Sequence, residues 1–304
     1  MTLRASPEER AVESLLEFGV LNLDKPPGPT SHQVADWVKR LANEATGEQL
    51  LDRVAHTGTL DPKVTGCLPM LLGDATRLAQ LFADSTKEYI AVLELQGPAP
   101  SDFEAVVGEF EGELLQKPPR KSAVKRQLRV REIYDLEILE RRERKALLRI
   151  RCEAGTYIRK LCHDIGLALG TGAHMGDLRR SRTGEFDDTD LSTMEEFADA
   201  LAFWQEDDDE TLLREIVEPA ETALVTLPRL TIAPSAATEV AEGAPVYGPG
   251  VIDAGPATVG DAVPQTGDLV ACYTPNGSAV CIGHLVSEPD SDSGPVVELE
   301  RVLV

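Results

Sequence analysis

Apolar positions recur with two different periods along the chain, and the switches between them mark its elements. "TSHQVADWVKRLAN" places Val34, Trp37, Val38 and Leu41 at helical spacing behind Thr30 and Ser31, residues suited to a helix cap. "IRKLCHDIGLAL" carries Ile158, Leu161, Cys162, Ile165 and Leu169 on one stripe, which leaves Arg159 off it. "KALLRIRCE" alternates instead: Ala146, Leu148, Ile150 and Cys152 share one face, and Leu147, Arg149 and Arg151 the other, as in a strand. The same reading gives strands in "GVLNLDK", "KEYIAVLEL" and "EIYDLEIL" and a helix in "GDATRLAQLFAD". "SPEERAVESLLEFG" reads as a short helix with Val12, Leu15 and Leu16 inward and Gly19 as its stop, and "STMEEFADALAFW" as one opened by a Thr193–Glu196 capping box.

Beyond about residue 229 the pattern shifts to short β runs broken by Gly and Pro, a small barrel-like unit. Within it Cys272 and Cys281 lie symmetrically about Asn276-Gly277, so a two-residue turn would set them opposite each other as reduced, apolar strand residues. The acidic "QEDDDE" and the residues up to Pro228 read as an exposed connection.

Composition adds an asymmetry. The chain has 304 residues and a net charge of -22, yet residues 117–182 hold 18 of its 30 Lys and Arg against 8 of its 52 Asp and Glu, a local +10. Such an island suits a polyanion. The acidic remainder suits a very salty cytoplasm, since at molar salt the Debye length is only about 3 Å and repulsion of phosphates is blunted. No run approaches the roughly 18 apolar residues of a membrane span, and "MTLRASPEER" lacks a signal peptide's apolar core, so a cytoplasmic protein is expected. The five cysteines form no CxxC and the five histidines do not cluster near them, which argues against zinc.

Two short stretches could carry chemistry. "HTGTLDP" sets Asp61 in a loop of small residues without neighbouring acids, although alone it reads as an ordinary Asp-Pro turn. "GTYIR" opens a helix with Arg159, which could pair with a carboxylate and hold it ionised. "PPRKSAVKRQLRVRE" is dense enough in Arg and Lys for contact with backbone phosphates.

In chain order, "LNLDKPPGPTSHQVADWVKR", "HTGTLDPKVTGCLPMLLGDATRL", "KEYIAVLEL", "SAVKRQLRVREIYDLEIL", "CEAGTYIRKLCHDIGLALG" and "GAHMGDLRRSRTGEF" resemble the TruB and dyskerin family of RNA pseudouridine synthases, most closely its archaeal branch. The resemblance covers nearly the whole chain. It implies an α+β fold: a catalytic domain over 1–227 with a mainly antiparallel sheet, then a small β-barrel PUA domain over 228–304. Residues 1–19 would be an N-terminal extension packing on either. It also implies an isomerase that breaks a uridine's glycosidic bond, rotates the base and forms a C–C bond, with neither metal nor organic cofactor. By motif position Asp61 is the catalytic carboxylate, Arg159 its partner and Tyr89 the ring stacked on the flipped base. His56 would fill the gap left by that base, Tyr157 would line the pocket, and Lys25 would sit with the substrate-binding residues or buttress the loop. Lys121, Lys125, Arg126, Arg179 and Arg180 would contact RNA. Substrates would be the T-loop uridine of tRNA, rRNA uridines chosen by an H/ACA guide RNA together with small particle proteins, or both. A non-catalytic RNA-binding scaffold is the alternative. Residues 183–304 depart from the expectation of an RNA-binding tail, holding only Arg214, Arg229 and Arg301 against 25 acids.

Overall fold

The structure is a computed structural model in which residues 3–118 and 127–304 are described; the expected RNA contacts Lys121, Lys125 and Arg126 lie outside them. The chain enters through α1 (Val12–Glu17) and β1 (Gly19–Lys25), then α2 (Ser31–Thr46), β2 (Val54–His56) and β3 (Thr65–Leu72). Next come β4 (Lys87–Leu95), α3 (Phe103–Gly108), β5 (Gly112–Gln116), β6 (Arg129–Arg141) and β7 (Lys145–Cys152). After α4 (Ile158–Ala168), β8 (Ala173–Thr183) and β9 (Phe186–Asp187) follow α5 (Met194–Asp207), α6 (Thr211–Ile216) and β10 (Val217–Pro219).

Among the described residues these strands form one sheet in the order β10-β1-β3-β8-β4-β7-β6-β5, with β2 attached to β3 and β9 to β8. It is antiparallel except where β3 meets β8 side by side in the same direction. That junction depends on Gly66: its φ is +95°, and a Cβ there would lie 2.2 Å from the Arg180 carbonyl oxygen. Helices α2, α4 and α5 cover the sheet through their apolar stripes. Val34 and Val38, Leu161 and Ile165, and Phe197 and Leu201 join Leu68, Met70, Leu93 and Leu148 in one core. Capping boxes fix two of the helix starts, Thr30 with Gln33 and Thr193 with Glu196.

The second sheet starts at β11 (Arg229–Ile232), followed by α7 (Pro234–Ala241), β12 (Val246–Tyr247), β13 (Val251–Gly255), β14 (Leu269–Tyr273), β15 (Ala279–Leu285) and β16 (Pro295–Val302). Its order is β12-β16-β15-β14-β11-β13, antiparallel apart from β11 with β14. Leu230, Ile232, Val240, Val270, Val280 and Val297 form its core. Cys272 faces Cys281 across the β14–β15 hairpin and both are free. The two sheets meet over a third apolar cluster that joins Phe18, Leu71 and Phe82 to Ala271, Tyr273, Ile282 and Leu303.

The structure sharpens four local expectations. Residues Gly73–Phe82 are helical as expected, in the 3₁₀ form, with i,i+3 contacts: Thr76 Oγ1 donates to the Gly73 carbonyl at 2.7 Å, and Arg77 pairs with Asp74 at 3.0 Å. Trp37 is exposed, because α2 buries its stripe one residue to either side, through Val34, Ala35 and Val38. The stretch before Pro228 is no loose connection, since β10 pairs with β1 and Ala220 and Leu224 are buried. Gly19 follows the C-cap Phe18 of α1, as expected of a helix stop, and is also the first residue of β1, where a Cβ would strike the Leu15 carbonyl at 2.4 Å.

Candidate active site

The loop between β2 and β3 carries Asp61, and polar groups fasten it from below. Ser31, buried at the start of α2, donates its hydroxyl to the Leu60 carbonyl at 3.2 Å and accepts the Leu60 N–H at 2.9 Å. Lys25 is fully buried at the end of β1. Its Nζ donates to the carbonyls of Pro26, Pro62 and Val64 at 2.9, 3.0 and 2.9 Å. Arg180 on β8 is 1 % exposed and donates to the carbonyls of Cys67 at 2.8 Å and Gly58 at 3.1 Å. Lys87, the first residue of β4, is buried beside Gly58 and donates to the Phe82 carbonyl at 3.0 Å. Burial, then the neighbouring Arg180, lowers its pKa to about 8. Carbonyl oxygens take the place of counter-charges for these cations, and Lys25 and Arg180 grip the loop's main chain and leave its one carboxylate outside.

Asp61 itself is exposed, and its Oδ2 meets the guanidinium of Arg159 from the first turn of α4. The two side chains are 56 and 53 % exposed, so the pair stands at the surface rather than in the core. Beside it a cleft of about 360 Å³ opens between α4 and β8, lined by Arg159, Lys160, His163, Ala173, His174 and Met175. Tyr89 sits on β4 opposite Arg180 of β8, partly buried. Burial pushes its hydroxyl pKa up, with the Arg180 cation acting the other way. Tyr157 precedes α4 and is fixed by the side chain of Gln116, which accepts the Tyr157 N–H at 2.9 Å and donates to its carbonyl at 3.3 Å. His56 ends β2, half-buried, its Nε2 3.4 Å from Nδ1 of His32. Burial, then His32 and Arg180, lowers its pKa, which favours the neutral ring.

Of the five residues expected at the site, Asp61 and Arg159 are in contact and His56 stands at the start of the same loop, while Tyr89 lies on β4 and Tyr157 just before α4. Two cations expected at the RNA, Arg179 and Arg180, are engaged within the protein, and Lys25 buttresses the loop, one of the two roles expected of it. Lys25 and Arg180 are buried with their donors turned to main-chain carbonyls, which makes them loop supports. Arg179 points to the opposite side of β8 and is held by Asp24 at 3.0 Å and Asp188 at 3.3 Å. Much of the +10 island is likewise paired, as in Arg131 with Glu153, Arg141 with Glu104 and Lys145 with Glu94. The site contacts of Ser31, His32 and Gln116 are not legible in local sequence because their partners lie 24 to 41 residues away. Among the described residues no group of three His, Cys, Asp or Glu side chains is placed to hold a metal ion.

The fold and this loop are those of a pseudouridine synthase. Residues 48–158 match the TruB family pseudouridylate synthase (N terminal domain), residues 159–225 the tRNA pseudouridylate synthase B C-terminal domain, and residues 4–35 the DKCLD (NUC011) domain. A "Probable tRNA pseudouridine synthase B" of Haloarcula marismortui is 66% identical over the whole chain and 94% of the relative. One of Halobacterium salinarum is 57% identical over 100% of both. Among solved structures, a chain of a Cbf5-Nop10-Gar1 complex matches with a TM-score of 0.87 and 42% identity, over 99% of this chain and 90% of that one. A chain of an H/ACA RNP bound to a substrate RNA containing 2'-deoxyuridine gives 0.87 and 40% over the same shares. The chain belongs to the TruB/dyskerin family of RNA pseudouridine synthases and is an isomerase of uridine in RNA. No helix among the described residues is long and apolar enough to cross a membrane.

Proposed function

We propose that Asp61 is the carboxylate that acts on the target uridine and that Arg159 orients it. The observation that supports this is their pairing at the open face of a loop whose main-chain carbonyls are held from beneath by Lys25 and Arg180. A uridine in a folded RNA must leave its stack to reach such a carboxylate. Tyr89 stacks on the extruded base, Tyr157 lines its pocket, and His56 occupies the position the base has left. In the reaction the C1′–N1 bond breaks, the freed uracil turns, C1′ joins C5, the C5 proton passes to water and N1 takes up a proton in its place. Lys25 and Arg180 serve by holding the loop. The cationic stretch with Lys121, Lys125 and Arg126 meets the RNA backbone.

In this reading residues 1–227 form the catalytic domain and residues 228–304 an RNA-binding PUA domain. Arg229 lies over the Tyr273 ring at 4.4 Å, so it is engaged within the protein. RNA contact there would rely on shape and main-chain hydrogen bonds more than on charge, as suits a salty cytoplasm. The protein acts as catalytic subunit of an archaeal H/ACA particle, with a guide RNA and small proteins of the kind named in the Cbf5-Nop10-Gar1 complex. It also modifies the T-loop uridine of tRNA, the substrate class named for its haloarchaeal relatives.

Tritium release from C5-labelled RNA tests both parts. Asp61→Asn should lower turnover roughly a thousandfold or more while RNA binding survives; near wild-type release would refute the role of Asp61. In high KCl, rRNA should be modified only with guide and partner proteins present, and robust guide-free turnover of rRNA would sink the particle reading.

A further inference from the structure

The loop of Asp61 is tied down at several points, but the ring of His56 at its entrance has one polar tether. Its Nδ1 is buried and makes no well-formed hydrogen bond, while its Nε2 lies 3.4 Å from Nδ1 of His32. The two rings stand edge to face, their centroids 4.9 Å apart and their planes at 80°. His32 is exposed on the first turn of α2. Ser31, its neighbour, exchanges two hydrogen bonds with Leu60. The dipeptide Ser31-His32 therefore touches the loop at both ends, one residue before Asp61 and five before it.

A neutral imidazole has a single N–H to place. On His56 Nδ1 it would be a buried donor facing only its own main chain, outside good hydrogen-bond geometry, an arrangement folded proteins avoid. On Nε2 it points at the Nδ1 lone pair of His32. We propose that His32 is a positioning residue for the reaction, accepting the Nε2–H of His56 and so fixing the tautomer and aim of the ring that enters the RNA. This rests on the placement of His56 given above. The titratable and charged groups that face His56 are His32 from α2 and Arg180 from β8, and both disfavour a charged ring. A gap of 3.4 Å is long for a hydrogen bond and of the kind that shortens when substrate packs against it.

Two substitutions separate the acceptor from the ring. His32→Phe keeps an aromatic edge and loses the acceptor; His32→Asn keeps an oxygen where Nδ1 was. The full-length protein is assayed under single turnover on a C5-tritiated tRNA transcript, beside His56→Ala, with melting curves as a folding check. His32→Phe should slow the step by about fivefold, the scale of one hydrogen bond, with transcript affinity unchanged, and His32→Asn should recover most of that loss. In ¹⁵N-histidine spectra, wild-type His56 should show a bare Nδ1 and a protonated Nε2, and His32→Phe should mix the tautomers. A slow His56→Ala beside a wild-type His32→Phe overturns this inference alone, as does a wild-type His56 protonated on Nδ1. A wild-type rate in His56→Ala overturns the placement of His56 in the RNA cleft, and the inference with it.

Discussion

Two guanidinium–carboxylate pairs hold distant parts of this chain together, and their settings are opposite. At the seam between the sheets, Arg10 is 0 % exposed and Glu221 11 %. Their contact is bidentate at 2.9 and 2.6 Å, and Arg10 also donates to the Ser278 hydroxyl at 3.1 Å. Glu221 further accepts the Ala279 N–H at 2.9 Å, so the pair joins the N-terminal extension, the residues after β10 and strand β15. The extension thus packs on both sheets rather than one, with Val12, Leu15 and Leu16 in the first core and Leu3 against the second. Asp61 and Arg159 form the other pair, each more than half exposed. A buried, fully bonded pair is architecture, and breaking it strands a charge. An exposed pair adds little to stability, so its presence in a loop otherwise free of acids calls for a use in chemistry.

The contrast is sharpest if each pair is broken separately. Asp61→Asn should abolish most turnover yet leave unfolding free energy within about 0.5 kcal/mol of wild type, as denaturant titration would show. A loss of several kcal/mol would make Asp61 a structural residue. Glu221→Gln should do the reverse, destabilising by about 3 kcal/mol because Arg10 stays buried without its partner, while turnover per folded molecule is kept. Equal stabilities of the two variants would erase the distinction.

Lys87 represents a third setting, a cation buried against carbonyls. Its folded pKa of about 8 lies below the ordinary 10.5, so between those values the unfolded chain holds a proton that the folded chain has released. Stability from this group therefore rises with pH across that window. The contribution between pH 7.5 and 9.5 should be roughly 1–2 kcal/mol, and Lys87→Met should lack it. Thiols such as Cys152, held up to about 12 by burial, act in the opposite sense above pH 9. The difference between the two proteins is therefore the quantity to read. An identical pH dependence in both would show that Lys87 releases no proton on folding.

Local patterns made the regular elements legible. The alternation in β7 and the stripe of α4 are local properties, and the side chains they name are the buried ones. The capping box at Thr193 was legible for the same reason. Helix α7 went unread although Pro234 stands at its start and Ala237 and Val240 are buried three apart; the surrounding Gly and Pro masked a stripe of two residues. The helix Gly73–Phe82 is also tied to distant residues that no local pattern shows, with Arg4 and Arg53 both reaching Asp74. Within the site, the sequence motifs placed Asp61 and Arg159, but charge alone could not separate a cation that meets RNA from one that grips a carbonyl. That distinction depends on burial, which for Lys25 and Arg180 is decided by strands far apart in the chain.

Salt supplies the smallest and most discriminating test of the two pairs. The Debye length falls from about 10 Å at 0.1 M to about 3 Å at 1 M, and screening acts on charges that solvent and ions can reach. Asp61 and Arg159 are reachable, whereas Arg10 and Glu221 are not. Double-mutant cycles on stability should give Asp61–Arg159 a coupling of about 0.2–1 kcal/mol at low salt, falling towards zero in molar KCl. The Arg10–Glu221 coupling should be several times larger and nearly unchanged by salt. An Asp61–Arg159 coupling that persisted in molar KCl would mean that its geometry, not its charge, holds the pair. Arg159 would then fix the direction of the Asp61 carboxylate at any salt concentration, which is the property an enzyme working in concentrated salt needs at that position.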